Sequence, residues 1–421
     1  MIEPAANIAA ILARIFSISP TTCQEIAATK DPVQRVNRIL SSQPATSTYS
    51  TNPCTDHEAT VLFWLALDRL EEQESRSRTA SSIFSELIQS DEFQLRRIAS
   101  IAAMPGNETA VCSFSLQSGN FELHLDPANP FRNFDGLLTL TPGMATFAVN
   151  RSTDPGLILN RIVQPLLPVM ERLLMRHSAS IISPLVTRFS FADEGLNDHG
   201  VCYCSNSSSD TLIPDSYFLA SKGYQKFRAI NSKQFPEKLD QAYFRGTDTG
   251  CHRFTDKTMC PRVIVAGLSR MFPDLLDAGI TSTEPRADQE KNIAIYTALD
   301  VLKPHAPQDA IHNYRYNIDI DGNTNSWSGL FLKLLSGGVV LKLESQLRYR
   351  QWYYDRLKPW VNFVPVSADA SDLIEKISYL RRHPNLAEDI GKSGHALAKS
   401  LDYETELDFT VSSIYKSALG L

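Results

Sequence analysis

The sequence predicts an α/β protein with a mostly parallel sheet in its C-terminal half and a helical region at its N-terminus. After residue 240, short apolar runs such as Val339–Leu343 alternate with helix-like patterns, which is typical of parallel sheets. Residues 110–116 and 120–125 alternate apolar and polar side chains around Ser118-Gly119, which predicts a hairpin, and residues 137–140 and 145–149 are expected to form further strands. Residues 1–105 show helical spacing of their apolar residues.

The elements follow in chain order. A helix is predicted over residues 157–176, whose apolar residues recur on one face, and a strand over the apolar, β-branched residues 181–191. Residues 242–246 predict a strand and a glycine turn, residues 261–272 a helix, and residues 360–365 another strand. A helix capped by Ser371 ends before Pro384, and residues 386–419 are predicted to be helical throughout.

Composition excludes several classes of protein. The 421 residues are 43% hydrophobic and carry a net charge of −6, which is globular composition without the basic footprint of a nucleic-acid binder. The seven cysteines form no framework or zinc-site spacing, so we expect reduced thiols in a cytoplasmic protein. The N-terminus lacks a basic signal-peptide region, and no long apolar run is present. Any membrane contact is therefore expected to be peripheral, at the inner face.

The first candidate loop begins at Arg245-Gly246 and continues through Thr247 and Thr249. A glycine lets the backbone approach a ligand closely, and an adjacent arginine offers a bidentate contact to phosphate. The two threonines add hydroxyl donors. An ordinary turn is the alternative interpretation.

The second candidate loop runs from Asp319 to Trp327, before a predicted helix over residues 330–335. Backbone N–H groups at such a helix start can hold a diphosphate. Asp319 and Asp321 also resemble a D-x-D metal motif, but alternate residues on a strand face opposite sides. We predict no metal here, and Asp321-Gly322 as a plain turn is the other alternative.

The third candidate is Asp193-Glu194, at the end of the predicted 181–191 strand. A carboxylate at a strand end in a cleft can serve as a general base. Solvated surface carboxylates are the alternative.

The order of these motifs resembles that of the CAP10-type glycosyltransferases, glycosyltransferase family 90. The similarity extends from about Ile181 to Tyr415. The sequence most resembles that of bacterial members that build lipopolysaccharide or capsule. The motifs that carry it are Phe244-Arg245-Gly246, the run from Arg262 through Ser269-Arg270 to Asp277-Ala278, Asp321-Gly322-Asn323, residues 336–342, residues 357–366 and Ser371-Asp372-Leu373.

The resemblance implies an inverting, metal-independent transferase with a GT-B-like fold, in which two Rossmann-type domains face a cleft, and a UDP-sugar as donor. The helical spacing of residues 1–105 predicts a helical accessory region. We expect residues 106–235 to form the acceptor domain, residues 236–400 the nucleotide-sugar domain and residues 401–421 a helix that crosses back. The resemblance assigns Asp193 as the catalytic base. The predicted substrate-binding residues are Arg245, Gly246, Thr247, Thr249, Arg262, Asp321, Gly322, Asn323, Asn325, Ser326, Trp327, Lys342 and Glu344.

Two positions depart from the family's pattern. An arginine that several relatives carry after the second loop is absent from Ser326-Trp327-Ser328-Gly329, and a His-Tyr pair is replaced by Asn362-Phe363. Diphosphate neutralisation is therefore expected to rest on Arg245, with Lys342 or Arg262 as helpers.

The resulting hypothesis is transfer of glucose, galactose or xylose from a UDP-sugar to a hydroxyl of a bacterial surface glycan, free or lipid-linked. No further cofactor is predicted. The alternatives are a catalytically idle sugar-nucleotide, glycan or interaction protein, and a protein O-glycosyltransferase.

Overall fold

The computed structural model describes residues 109–115, 121–126, 135–150, 161–162, 164–196 and 199–421. The helical region predicted for residues 1–105, the Ser118-Gly119 turn and the start of the 157–176 helix lie outside these residues. The first four strands are β1 (Thr109–Ser115), β2 (Phe121–Asp126), β3 (Asp135–Thr141) and β4 (Met144–Asn150).

Of these strands, β1, β2 and β4 belong to one compact unit, whereas β3 belongs with the chain from Pro165 onward to another. Within the first unit, β1 pairs antiparallel with β2, where Thr109 lies opposite Asp126, and with β4, where Thr109 lies opposite Asn150. The strands predicted within residues 110–149 are therefore present.

The second unit contains a mixed sheet in the order β3, β5 (Leu185–Ser190), β6 (Val201–Cys202), β7 (Thr211–Leu212). β3 pairs antiparallel with β5, and β5, β6 and β7 are parallel. Helix α1 (Gln164–His177) precedes β5 and buries an apolar stripe that includes Leu166, Val169 and Leu173. Two short helices, α2 (Ser216–Ala220) and α3 (Gln225–Arg228), follow β7.

A parallel sheet in the same unit forms the C-terminal half, as predicted. Its order is β12, β11, β10, β8, β9, and every neighbouring pair is parallel. The strands are β8 (Leu239–Thr247), β9 (Leu276–Ser282), β10 (Tyr314–Asp319), β11 (Val339–Leu343) and β12 (Val364–Val366). β11 is buried at all five positions, because parallel sheets carry helices on both faces.

Helices connect these strands and continue beyond the last one. They are α4 (Pro261–Met271), α5 (Gln289–Ala298), α6 (Ser328–Leu335), α7 (Leu373–Arg382), α8 (Pro384–Ser400) and α9 (Tyr403–Ala418). α9 packs against β5, β6 and β7 of the mixed sheet. The predicted GT-B-like class is confirmed at this level: two α/β sheets with parallel strands lie in one unit.

Three local predictions were wrong. Residues 360–363 are not part of a strand, because Trp360 adopts a φ of 60° and its N–H donates to the carbonyl of Phe363, which makes a turn. The helix predicted over residues 386–419 breaks after Ser400, where Asp402 caps α9 by accepting from the N–H of Thr405. β8 continues through Gly246 to Thr247, so the turn lies one step later than expected.

The cysteine prediction was also wrong. Cys251 and Cys260 form a disulfide, while Cys202 and Cys204 are buried thiols. Both bridged cysteines pack in an apolar cluster with Val263 and Tyr296. Such bridges are rare in a reducing cytosol. The cytoplasmic location stays a prediction. None of the helices in the described part of the chain has the length and apolar character needed to cross a bilayer.

Candidate active site

The turn from Asp321 to Trp327 joins the end of β10 to the start of α6. The Gly322 N–H donates to the Asn325 carbonyl over 3.1 Å, and the Trp327 N–H donates to Asn325 Oδ1 over 2.6 Å. Trp327 has a φ of 48°, which is unusual for a bulky side chain and occurs mainly where surrounding structure enforces it. The turn is therefore tightly defined.

Polar atoms of this turn are buried without a hydrogen-bond partner in the protein. They are Asp321 Oδ2, Asn323 Oδ1, Asn325 Nδ2 and Ser326 Oγ. Buried polar atoms in native proteins almost always have partners, so each exception calls for an explanation. Four exceptions within six residues, at the carboxyl end of a parallel strand, indicate a ligand site.

Arg262 holds the backbone of the turn in place. Its guanidinium donates to the carbonyls of Thr247, Ile320 and Asp321 over 2.8, 3.0 and 3.1 Å. Burial lowers the pKa of this guanidinium, and the nearby carboxylates of Asp319 and Asp321 counter the effect. Its donors are committed to backbone carbonyls, so Arg262 positions the two predicted loops against each other.

Lys342 holds the two aspartate side chains at the start of the turn. Its ammonium lies 3.0 Å from Asp319 Oδ2 and 3.3 Å from Asp321 Oδ1, and Lys333 lies 2.8 Å from Asp319 Oδ1. Burial disfavours ionisation of Asp319, but the charges of Lys333 and Lys342 outweigh it and hold the pKa of that carboxyl below its usual range. The two carboxylates of the D-x-D pattern thus converge on an ammonium, and Lys342 serves as their counter-ion.

Asp193 reaches the same turn from the mixed sheet. It follows β5 by three residues, and the Asn323 amide donates to Asp193 Oδ2 over 3.4 Å. The Asp193 carbonyl accepts from the Cys204 thiol over 2.6 Å. The structure therefore places the predicted base beside the turn that carries the partnerless polar atoms. Glu194, its neighbour, is exposed.

Arg245 does not join this group. Its guanidinium lies 2.7 Å from Asp277 Oδ1 and also donates to the Phe244 and Asp277 carbonyls, above the ring of Tyr243. Side chains of a strand alternate between its two faces, and Arg245 points to the side of Asp277. The position expected for the main phosphate contact is thus occupied by an ion pair within the sheet.

Arg253 is a further basic residue that contacts the turn. It follows Gly250, whose φ of 85° and close approach to Gly322 leave no room for a side chain, since an added Cβ would sit 2.4 Å from the Gly322 carbonyl oxygen. The exposed Arg253 side chain donates to the carbonyls of Gly322 and Asn323. Arg253 has no local signature in the sequence, because only the contact between two distant loops identifies it.

A cavity of about 30 Å³ lies between these loops. Of the predicted residues, Thr249, Arg262, Asp321 and Glu344 line it, together with Arg253 and Thr324. Gly246 lies in β8, and the Thr247 hydroxyl bonds to that of Thr249. A cavity of this size holds one or two waters, so it can contain only part of a nucleotide. Ser326 and Trp327 follow the turn, and the Trp327 ring lies 5.9 Å from that of Tyr217.

Known proteins match this part of the chain. Residues 221–414 match the family model for glycosyl transferase family 90. Uncharacterized protein 035R of Invertebrate iridescent virus 3 is 32% identical over 250 residues, which are 57% of this chain and 21% of that protein. Protein O-glucosyltransferase 3 of Rattus norvegicus is 25% identical over 48% of this chain and 38% of its own length. The chain thus spans about a fifth to two-fifths of these relatives.

Solved structures align more weakly. TarM aligns with 13% identity and a TM-score of 0.33 over 44% of this chain and 37% of its own. Anabaena Alr3699/HepE in complex with UDP-glucose aligns with 10% identity and a TM-score of 0.32 over 47% and 52%. At such scores the fold rests on the strands and helices described above.

Proposed function

We propose that this protein, whose residues 221–414 belong to glycosyltransferase family 90, transfers a sugar from a UDP-sugar to an acceptor hydroxyl. The observation that carries the proposal is the cluster of partnerless buried polar atoms on Asp321, Asn323 and Asn325, beside the carboxylate of Asp193. Such a cluster suits a polar donor, and the adjacent carboxylate suits removal of a proton from the acceptor.

In the proposed reaction, the acceptor oxygen attacks the anomeric carbon while the bond from that carbon to the UDP oxygen breaks. Asp193 takes the acceptor's proton, and Asn323 holds the carboxylate in place through its 3.4 Å contact. The departing diphosphate gains negative charge. Arg253 and the N–H groups at the start of α6 stabilise this charge, because cations and helix N-termini favour anions.

The transferred sugar is proposed to be glucose, because the named relatives include a protein O-glucosyltransferase. Galactose and xylose remain in the test, since they differ from glucose by one hydroxyl's orientation or one CH₂OH, which a few pocket contacts discriminate. The same relative makes a protein hydroxyl a candidate acceptor alongside the bacterial surface glycan predicted from the sequence. The curated relatives described above do not favour the bacterial glycan.

A donor screen tests this function. UDP release is measured with UDP-glucose, UDP-galactose, UDP-xylose and guanosine- and cytidine-diphosphate sugars, with protein and glycan acceptors. We expect turnover with a UDP-sugar, lost in Asp193→Asn and kept in the matched control Glu194→Gln, with unchanged melting temperatures. Turnover with a guanosine or cytidine donor alone, or full activity of Asp193→Asn, contradicts the proposal. Binding of UDP-glucose without any turnover favours the catalytically idle alternative.

A further inference from the structure

A second, larger cavity lies at the opposite edge of the parallel sheet. It measures about 290 Å³, and its walls come from residues 227–235 before β8, the Leu335–Gly337 turn before β11, and one face of α8. The cavity of about 30 Å³ in the candidate active site, called the donor cavity from here on, is lined instead by residues that follow the ends of β8, β10 and β11. The two cavities are therefore separate sites.

Basic side chains dominate the walls of this larger cavity. Four residues of α8 face it at helical spacing, Glu388, Lys392, His395 and Lys399, and Arg228 and Lys233 complete the charged set. We call this site the basic cavity.

One pair of opposite charges in the basic cavity is neutralised. Lys392 lies 2.8 Å from Glu388, which is the only carboxylate among its wall residues. Within the part of the chain that the structure describes, Lys233 and Lys399 form no ion pair with a carboxylate. Arg228 donates to the carbonyls of Gly223, Ala398 and Leu401, which hold its guanidinium without cancelling its charge. The walls contain four basic side chains, Arg228, Lys233, Lys392 and Lys399, and one carboxylate. They therefore carry an excess of about three positive charges.

A buried lysine beneath the basic cavity adds to this excess. Lys238 is 4% exposed, and its ammonium donates to the carbonyls of His312 and Ser336 over 2.6 and 3.0 Å. No carboxylate of the described residues lies within ion-pair distance of it. Burial, and then the charge of Lys233, lower the pKa of Lys238 to about 8. A buried cation without a carboxylate is destabilising, and an anion in the neighbouring cavity would relieve that cost.

We propose that the basic cavity binds a phosphate group, carried either by a soluble phosphate ester or by a lipid headgroup. The excess of cations selects an anion. The flexible lysines Lys233 and Lys399 suit phosphate oxygens, whereas Arg228 contributes its charge, because its guanidinium donates to backbone carbonyls. The concentration of positive charge stands out in a chain of net charge −6. The volume accommodates a small polar headgroup or a phosphate ester.

The test is a thermal-shift titration with inorganic phosphate at constant ionic strength, in the presence of excess UDP so that the donor cavity is occupied. Three forms of the full chain are compared: the unmodified protein, Lys233→Gln with Lys399→Gln, and a control with Lys291→Gln and Lys416→Gln. The control removes two exposed lysines elsewhere, so the net charge of the two variants is equal.

We expect a saturable rise in melting temperature for the unmodified protein and the control, and about tenfold weaker phosphate affinity in the cavity variant, because two exposed charge contacts are lost. Raised salt should weaken phosphate binding by the unmodified protein and by the control. No saturable rise in the unmodified protein, or an equal rise in the cavity variant, overturns the proposal.

Two further arms identify the source of the phosphate. Glycerol phosphate that reproduces the shift identifies a soluble ester as ligand. Co-sedimentation with phosphatidylcholine vesicles that contain phosphatidic acid, competed by inorganic phosphate and lost in the cavity variant, identifies a headgroup. Failure of both probes overturns the proposal. Neither arm depends on sugar transfer, so the proposed function can fail while the basic cavity stands.

Discussion

Replacement of Arg253 by glutamine tests which cation receives the donor's diphosphate. Arg253 is exposed and lines the donor cavity, and its guanidinium already donates to the carbonyls of Gly322 and Asn323. A hydrogen bond to a charged group contributes about 1.5–3 kcal/mol, and solvent screening at an exposed site favours the lower limit. A loss of about 1.4 kcal/mol corresponds to tenfold weaker binding.

The assay compares calorimetric binding of UDP and of uridine, which lacks the diphosphate. We expect Arg253→Gln to weaken UDP about tenfold and to leave uridine nearly unchanged, with Arg253→Lys in between because a lysine keeps the charge but not the fork. Arg245→Gln is the matched control. Its guanidinium is held by Asp277, so its loss should lower the melting temperature without changing the preference for UDP over uridine.

The result that refutes this reasoning is a loss of that preference in Arg245→Gln together with its survival in Arg253→Gln. That outcome would restore Arg245 as the phosphate contact, as the sequence predicted. If the unmodified protein binds neither UDP nor uridine, the proposed function itself fails, and the comparison of the two arginines does not arise.

Three other perturbations have outcomes that follow from the described contacts. Cys260→Ser, or reduction of its nine-residue-separated bridge to Cys251, should lower the free energy of unfolding in urea by about 2.5 kcal/mol through loop entropy; an unchanged urea midpoint with reductant contradicts this. Burial, and then Lys238, lower the pKa of His312 to about 4, so the unfolded chain takes up its proton first, near pH 6.5, and stability present above that pH is lost as the pH falls toward 4. From this group alone, the free energy of unfolding should be about 2.5 kcal/mol lower at pH 4.5 than at pH 7. His312→Gln should remove that difference. Lys342→Met leaves the fully buried Asp319 with Lys333 alone and should destabilise the protein by about 3 kcal/mol, whereas an equal melting temperature would show that the ion pair is dispensable.

The strand and helix pattern could be predicted because it depends on local periodicity. β11 reads as five consecutive apolar or aliphatic-stemmed residues, and all five are buried, as a central parallel strand requires. Asp193 and the turn after Asp321 could also be paired in advance, because each follows the carboxyl end of a strand, where open α/β sheets bind ligands, and the family resemblance assigned both to one active site. The 3.4 Å contact between Asn323 and Asp193 agrees with that expectation of proximity.

The sequence could not predict which arginine faces the donor cavity. For Arg245, the answer depends on which face of β8 looks toward β9 and Asp277, and a one-residue change of register would reverse it. For Arg253, it depends on a loop that the Cys251–Cys260 bridge closes and that packs on Gly322. Neither pairing has a local signature, since both join residues far apart in sequence.

The D-x-D pattern shows how a metal-like motif can serve another purpose. Asp319 and Asp321 converge, as metal ligands do, but the cation between them is the ammonium of Lys342 on the neighbouring strand. With Arg262 bound to the carbonyls on the other side, the turn's backbone is fixed by two internal cations. The side chains of Asn323 and Asn325 then keep polar atoms without protein partners on a backbone that does not need to reorganise. A turn held in this way is preorganised for its ligand. Lys342→Met should therefore weaken UDP binding as well as lower the stability of the protein.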